Sequence, residues 1–282
     1  MSSESVAAHY GRGGLGAAVL AALEAAGKDT AALTLDDLAP VDELHIRGRE
    51  ATAEVAEAAG IGPGQRVLDV GCGIGGPSRY LAAARGCEVI GLDLTQEFCD
   101  VAAMLAARTG LADRVSYRQG DALDMPFEDA SFDVVWTQHV AMNIADKPGL
   151  YAEMRRVLKP GGHLAIYDIL AGPGGPVHFP VPWAPTPSIS FLATPDELRA
   201  LLTDAGFQVD SWRDTTTAAA DWFARIQAQS AQAQAGDGDG APPLNTLVLL
   251  FGDLAPTLAG NMARNVGEQR ILTIQIVARA AG

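Results

Sequence analysis

Three aspartates stand where an α/β chain can hold a small ligand: Asp69, Asp93 and Asp121 each close or follow a short apolar run. The first lies inside Val67-Leu-Asp-Val-Gly-Cys-Gly-Ile-Gly-Gly76. Strand, glycine turn and helix in that order bring backbone amides close to a ligand at the strand's carboxyl end. Gly71, Gly73 and Gly76 satisfy the Gly-x-Gly-x-x-Gly spacing of a dinucleotide site, but a tight turn that binds nothing can satisfy it too. Asp69 discriminates, because a carboxylate at that mouth repels a pyrophosphate and welcomes an ammonium group. Asp93 ends the second strand, placed to accept hydrogen bonds from ribose hydroxyls. Gly120-Asp-Ala122 follows the third strand, where a polar group can meet the exocyclic amine of an adenine. Together these residues describe a ligand with an amino group, a ribose and an adenine, but no phosphate.

Alternating strands and helices must hold these groups. Arg66 to Val70, Cys87 to Asp93, Val115 to Tyr117, Phe132 to Trp136 and Leu164 to Ile169 read as strands. Helices are expected from Pro77 to Ala84, Thr95 to Thr109 (with Thr95 as N-cap) and about Leu150 to Leu158. This alternation predicts a parallel sheet covered on both faces. Upstream, Leu15, Val19, Leu20 and Leu23 recur at helical spacing up to Gly27, and a second helical run spans Arg49 to Ala59. Downstream come a Pro/Gly-rich insert (Gly172 to Ser190), a helix from Thr194 to Ala205 and a strand from Phe207 to Trp212. Helical sequence then runs from about Ala218 to Val266, broken by the Gly/Asp loop 236–243, and Ile271 to Val277 closes the sheet. The expected fold class is α/β: a doubly wound, mostly parallel seven-stranded sheet. An N-terminal helical cap is expected over residues 1–60 and a core over 61–215 with an insert at 171–193. A helical lid over 216–267 precedes the final strand over 268–282.

The ligand that fits the description is S-adenosylmethionine, and the sequence resembles the class I S-adenosylmethionine-dependent methyltransferases, which share a Rossmann-like fold. The resemblance covers roughly Arg66 to Ile169. It rests on the glycine motif, Gly-Leu-Asp93, Gly-Asp-Ala122, Ser-Phe-Asp-Val-Val-Trp136 and Arg155-Arg-Val-Leu-Lys-Pro-Gly-Gly162, in the expected order. It implies Gly71 and Gly73 at the methionine moiety, Asp93 on the ribose, and Asp121 with Ala122 at the adenine. Asp69 would orient the loop or contact the amino group, and Cys72, Leu94 and Gln138 complete the expected cofactor contacts. Lys159-Pro-Gly-Gly162 is expected to be a structural turn feeding the fifth strand.

A sulfonium methyl is already activated, so such an enzyme chiefly aligns a nucleophile with it and excludes water. A phenol or hydroxyl nucleophile benefits from a base. His139, just after the fourth strand, is the candidate base; the alternative is a histidine hydrogen-bonded within its loop. The segments Ala8-His-Tyr-Gly11 and Asp42 to Gly48 are similar to entry segments of the sarcosine/dimethylglycine N-methyltransferases and of the sterol, tocopherol and ubiquinone methyltransferases. That similarity places Tyr10, a second catalytic candidate, and His45, a substrate contact, near the methionine end; a helix pair that only adds stability is the other reading. Trp183, Trp222 and Phe223 supply aromatic surface. They can cage a methylated ammonium, bury a flat or isoprenoid substrate, or pack the lid. No Asp/Asn/His spacing suggests a metal site, so metal-independent chemistry is expected.

Composition narrows the partners. Among 282 residues, 20 Lys+Arg against 34 Asp+Glu leave a net charge of −14, a poor match to nucleic acid or anionic lipid. Three cysteines without a CxxC pair argue against a disulfide framework and fit a reducing, cytoplasmic setting. No apolar run of membrane-spanning length is expected, and no secretion signal. The expected protein is a monomer or homodimer handling a small molecule. It would transfer a methyl group from S-adenosylmethionine to a nitrogen or oxygen of a metabolite under the lid, releasing S-adenosylhomocysteine. The alternative is C-methylation of an apolar natural product, isoprenoid or quinone-like ring. A cofactor-sensing role is disfavoured by the intact motif, and an NAD(P) oxidoreductase by Asp69 and Lys159-Pro-Gly-Gly162.

Overall fold

The computed structural model describes residues 13–235 and 245–281, with side chains of 13–231 and 245–281. Tyr10 and the loop 236–243 lie outside the described residues. Three helices come first: α1 (Leu15–Ala25), the single turn α2 (Leu35–Leu38) and α3 (Gly48–Ala58). The core then alternates β1 (Arg66–Val70), α4 (Gly76–Arg85), β2 (Glu88–Asp93), α5 (Gln96–Arg108) and β3 (Val115–Gln119). It continues with β4 (Phe132–Gln138), α6 (Lys147–Val157), β5 (Leu158–Ala171), α7 (Pro195–Asp204) and β6 (Phe207–Asp214). Last come α8 (Thr216–Ala235), α9 (Thr246–Phe251), α10 (Ala255–Gly267) and β7 (Ile271–Ala280).

The seven strands form one sheet in the order β3-β2-β1-β4-β5-β7-β6. Strands β1 to β5 run parallel, and β7 is antiparallel to both neighbours. The order reverses between β1 and β4, and ligands of open α/β sheets bind in the crevice at that switch point, beyond the strands' carboxyl ends. Alternation along the strands builds a core on each face. Leu68, Val70, Val135 and Ile166 pack with Leu150, Tyr151 and Met154 of α6. Val67, Val134, Trp136 and Tyr167 pack with Ala51 and Val55 of α3 and Leu81 of α4.

Several boundaries differ from the sequence expectation for local reasons. Lys159-Pro-Gly-Gly162 belongs to β5 rather than to a turn ahead of it. Pairing jumps from Phe132–Leu158 to Val134–His163, so these four residues bulge out of register, with Gly161 at φ 75°. Thr95 precedes α5, but its side chain makes no capping hydrogen bond. The stretch Thr246–Gly267 is, by length and composition alone, long and apolar enough to cross a membrane, which corrects the expectation that no such run exists. Here it breaks at Gly252 (φ 54°, ψ −129°) between α9 and α10, and Leu258, Met262 and Val266 of α10 are buried against the protein.

Two covers close over the crevice. Helix α1 buries Leu15, Val19 and Leu23 against Phe98, Val101 and Leu105 of α5, and α9 packs on α1 through Leu249 and Leu250. The segment between α2 and α3 is held to α4 by a buried ion pair, Asp42 to Arg79 at 3.0 Å. Gly76 permits this approach, since a Cβ there would lie 2.2 Å from the Asp42 carbonyl oxygen.

Candidate active site

The crevice is a cavity of about 300 Å³ floored by the ends of β1, β2 and β4. At its base the chain leaves β1 through Gly71 (φ 73°), whose amide and that of Cys72 both donate to the Leu92 carbonyl, at 2.7 and 3.1 Å. Only glycine suits position 71: the left-handed φ is strained for other residues, and a Cβ would sit 2.3 Å from Val140 Cγ2. A Cβ on Gly73 would meet no atom within 4 Å, so this part of the turn faces open space. The loop thereby exposes backbone to whatever fills the cavity.

Two carboxylates sit at this turn. Asp93 accepts the Gly73 amide on Oδ2 and the Thr95 amide on Oδ1, each at 2.9 Å. Burial raises its carboxyl above the ordinary range despite those bonds. Asp69 is 2% exposed and accepts the Ser78 hydroxyl at 2.5 Å. Burial pushes its carboxyl up to about 7; the Ser78 bond opposes that rise and the Asp93 charge adds to it. A cation would relieve both groups, and a phosphate would worsen both. The donor set therefore fits S-adenosylmethionine, with its sulfonium, ammonium and ribose hydroxyls, and disfavours a dinucleotide. Further along the same wall, Leu94, Phe98, Asp121, Ala122 and Leu123 line the cavity, and Asp121 accepts the Leu123 amide at 2.9 Å.

The opposite wall carries two histidines. His139 follows β4 at φ 53°, with its amide donating to the Tyr167 carbonyl at 2.8 Å. Its ring lies 4.9 Å from the Tyr167 ring and meets the His45 ring edge-on at 5.8 Å. Nε2 of His139 is buried without a hydrogen-bond partner among the described residues. Burial, reinforced by His45 beside it, holds this imidazole well below its usual pKa, so it is neutral near pH 7. His45 comes from the cap. Its Nε2 lies 3.1 Å from the Glu43 carboxylate and 3.3 Å from Thr52 Oγ1. Thr52 is also 3.4 Å from the Gln138 amide, whose oxygen accepts the Trp136 indole N–H at 3.0 Å. A buried polar seam thus runs from the cap to the end of β4.

The post-β4 loop has its own supports. Asp168 of β5 accepts the Ala141 amide at 3.2 Å, and Lys147 Nζ donates to the carbonyls of Ala141 and Ile144 at 2.7 and 3.0 Å. Burial raises the Asp168 carboxyl to about 6.

Asp69, Gly71, Cys72, Gly73, Asp93, Leu94, Asp121, Ala122, Gln138, His139 and His45 all come together around this cavity. Trp183, Trp222 and Phe223 do not line it. They sit in a separate apolar cluster with Ile46, Met142, Ile169, Met262 and Val266. There the Trp183 indole donates to Ser190 Oγ at 2.9 Å, and Trp222 and Phe223 meet edge-on at 4.9 Å. The insert has little regular structure, so it needs apolar anchors of its own, and these aromatics supply them. Sequence reasoning singled out the segment Asp42 to Gly48, though not Asp42 or Leu44 individually; those two line the cavity, as do the residues it missed, Val41 of the cap and Thr246, Leu249 and Leu250 of α9. The apolar run Thr246–Phe251 was the available signal for the latter. Among the described residues there is no group of three or more His, Cys, Asp or Glu able to hold a metal ion.

Known proteins share these features. Residues 68–166 match the methyltransferase domain family. The chain is 42% identical to a sterol 24-C-methyltransferase of Gibberella zeae over 116 residues, 41% of this chain and 30% of that one. It is 46% identical to the chloroplastic tocopherol O-methyltransferase of Arabidopsis thaliana over 102 residues, 36% of this chain and 29% of that one. The matched segment thus spans under one third of either relative. Among solved structures, the [4+2]-cyclase SpnF has a TM-score of 0.67 at 22% identity, covering 90% of this chain and 99% of its own. A geranyl diphosphate methyltransferase in complex with SAM has a TM-score of 0.65 at 18% identity, covering 83% and 86%. The sheet order is that of a Rossmann-like fold, which the solved structures share. Within that fold, the segment that matches the methyltransferase domain family runs from β1 into β5.

Proposed function

We propose that the protein transfers a methyl group from S-adenosylmethionine to an oxygen or nitrogen of a small molecule. One observation carries the reading. His139, a neutral, buried imidazole whose Nε2 has no hydrogen-bond partner among the described residues, lines the same cavity as the glycine turn and its carboxylates. Such a group can accept a proton from a hydroxyl or ammonium nucleophile and stays unprotonated near pH 7. Bound S-adenosylmethionine supplies an activated methyl on sulfur. The chain's own residues bind, orient and exclude water. Gly71 and Gly73 leave room for the methionine end, Asp69 and Asp93 offer carboxylates to its cationic and hydroxyl groups, and Asp121 with Ala122 flanks the adenine. His45, braced by Glu43 and Thr52, faces His139 from the cap. Leu249 and Leu250 of α9 close the far side against water.

C-methylation of an apolar compound is the second reading, favoured by the identity to sterol 24-C-methyltransferases. A methyl-transfer screen with mass detection across amines, phenols, carboxylates and isoprenoids tests both. Product S-adenosylhomocysteine with a methylated heteroatom supports the first, a new carbon–carbon bond the second, and no transfer to any acceptor counts against the activity. A cytoplasmic setting and a monomeric or homodimeric state without nucleic acid or membrane partners belong to the same proposal; the three unpaired, buried cysteines fit it.

A further inference from the structure

We infer that the methyl acceptor is a mainly apolar molecule that carries no anionic group, and that the site discriminates against phosphorylated and carboxylate acceptors. This rests on the methyl-transfer reading and names the acceptor class for the same cavity.

Charge comes first. Among the described residues, every lysine, arginine, aspartate or glutamate lining the cavity is an aspartate: Asp42, Asp69, Asp93, Asp121 and Asp146. Cations exist nearby, but each is already engaged. Arg79 is fully buried against Asp42 at 3.0 Å and donates to the Ile74 carbonyl at 2.7 Å. Arg47 is paired with Glu54 at 2.5 Å, and Lys147 donates to two carbonyls. His45 already faces the Glu43 carboxylate at 3.1 Å. A phosphate or carboxylate entering the cavity would therefore be desolvated among like charges with no free counter-ion among the described residues, an arrangement that sites built for such groups avoid with arginine forks.

Apolar surface is the second observation. Away from the glycine turn, the cavity is walled by Leu15, Val19, Ile144, Leu249 and Leu250. Helix α9 carries apolar residues on its outer side as well, where Val248 is 47% exposed and Leu254 just beyond it 41%. A helix that only closed a polar site would present polar residues to solvent. Apolar residues thus stand on both the cavity side and the solvent side of this segment, the kind of surface an apolar acceptor would meet.

The test uses the full chain saturated with S-adenosylhomocysteine and three probes on one skeleton: geraniol, geranyl diphosphate and geranylamine. Calorimetry should show geraniol and geranylamine each binding at least about tenfold tighter than the diphosphate, the scale of one unfavourable buried charge. Diphosphate binding equal to or tighter than that of geraniol overturns the inference, as does absence of binding by all three. Leu249→Lys supplies the missing cation and should raise diphosphate affinity about tenfold or more. No gain would show that charge does not set the discrimination and would also overturn it. Failure of S-adenosylhomocysteine itself to bind the folded protein defeats the methyl-transfer reading. Normal binding of it without preference among the probes defeats only the acceptor class.

Discussion

Binding of a cationic ligand beside Asp69 should expel a proton, and the amount follows from the site. The carboxyl is 2% exposed, and burial sets its pKa at about 7 against the opposing Ser78 hydrogen bond. Near pH 7 about half of the empty molecules therefore carry a proton there. A sulfonium or ammonium group close by favours the carboxylate and returns the group toward its ordinary range. The release due to Asp69 is then about 0.9 proton per ligand at pH 6, about 0.5 at pH 7 and about 0.1 at pH 8. Asp42, raised to about 6, and Asp93, also raised, share the cavity and add to the total. The informative quantity is thus the difference between wild type and Asp69→Asn. Calorimetry of S-adenosylmethionine binding in buffers of different ionisation enthalpy measures it directly. The reasoning is refuted if the binding enthalpy at pH 7 does not depend on the buffer, or if Asp69→Asn releases as many protons as wild type. The same shift fixes the sign of a stability effect. The folded carboxyl holds its proton more tightly than the unfolded one, whose pKa is near 3.8. Its contribution favours the native state fully below pH 3.8 and is lost as pH rises through about 7. Asp69→Asn should flatten the fall in Tm across that window.

Other outcomes follow from the same geometry. Asp93→Ala should weaken S-adenosylhomocysteine binding by about 1–3 kcal/mol, because it removes the acceptor of two backbone amides and the carboxylate offered to the ribose; calorimetry reads the loss, and unchanged affinity rejects the assignment. His139→Ala should lower turnover of a hydroxyl acceptor by about two orders of magnitude while leaving cofactor affinity intact; a few-fold effect would make it a positioning residue. Gly71→Ala should abolish cofactor binding or unfold the turn, since it combines a φ of 73° with a 2.3 Å approach to Val140. Adding Val140→Ala should restore part of the Tm, and an unaltered Tm in the single variant would show that the turn can move aside.

Most of the sheet was legible because its signals are local. Each of β1, β2 and β4 is a short run of buried apolar residues ending in a polar residue or a glycine, and the helices between them carry 3.6-residue periodicity. The carboxylates at the strand ends were legible for the same reason. Asp93 closes β2 and Asp121 follows β3 by two residues, so both fall at the carboxyl ends of strands, where the cavity lies. The bulge at Lys159-Pro-Gly-Gly162 was not, because Pro and Gly signal a turn whether the strand stops or merely loses register there. Trp183, Trp222 and Phe223 misled in another way. A large aromatic in a lid or insert has the same composition signature whether it faces a ligand or anchors the segment, and only the packing with Met262 and Val266 separates the two.

The acceptor half of the cavity was least legible, and the reason is physical. The cofactor half comes from one contiguous stretch in which each group is set by the strand before it. The acceptor half joins His139 to residues far away in sequence: Val41 to His45 from the cap and Thr246 to Leu250 from beyond β6. Its geometry depends on how the cap docks, and that docking rests on pair interactions invisible to periodicity. Asp42 must meet Arg79 across α4, which requires a glycine at 76 so that backbone can touch backbone. Thr52, which also reaches Glu43, must meet Gln138 at the end of β4. Both ties are buried and polar, so a displaced cap would leave unpaired charge or unsatisfied donors, and this penalises alternatives more than apolar contact alone would. The polar seam thus positions the acceptor wall, while the apolar residues of α1 and α9 complete its surface. Substitutions in the cap and α9 should therefore alter acceptor preference without disturbing the glycine turn and Asp93.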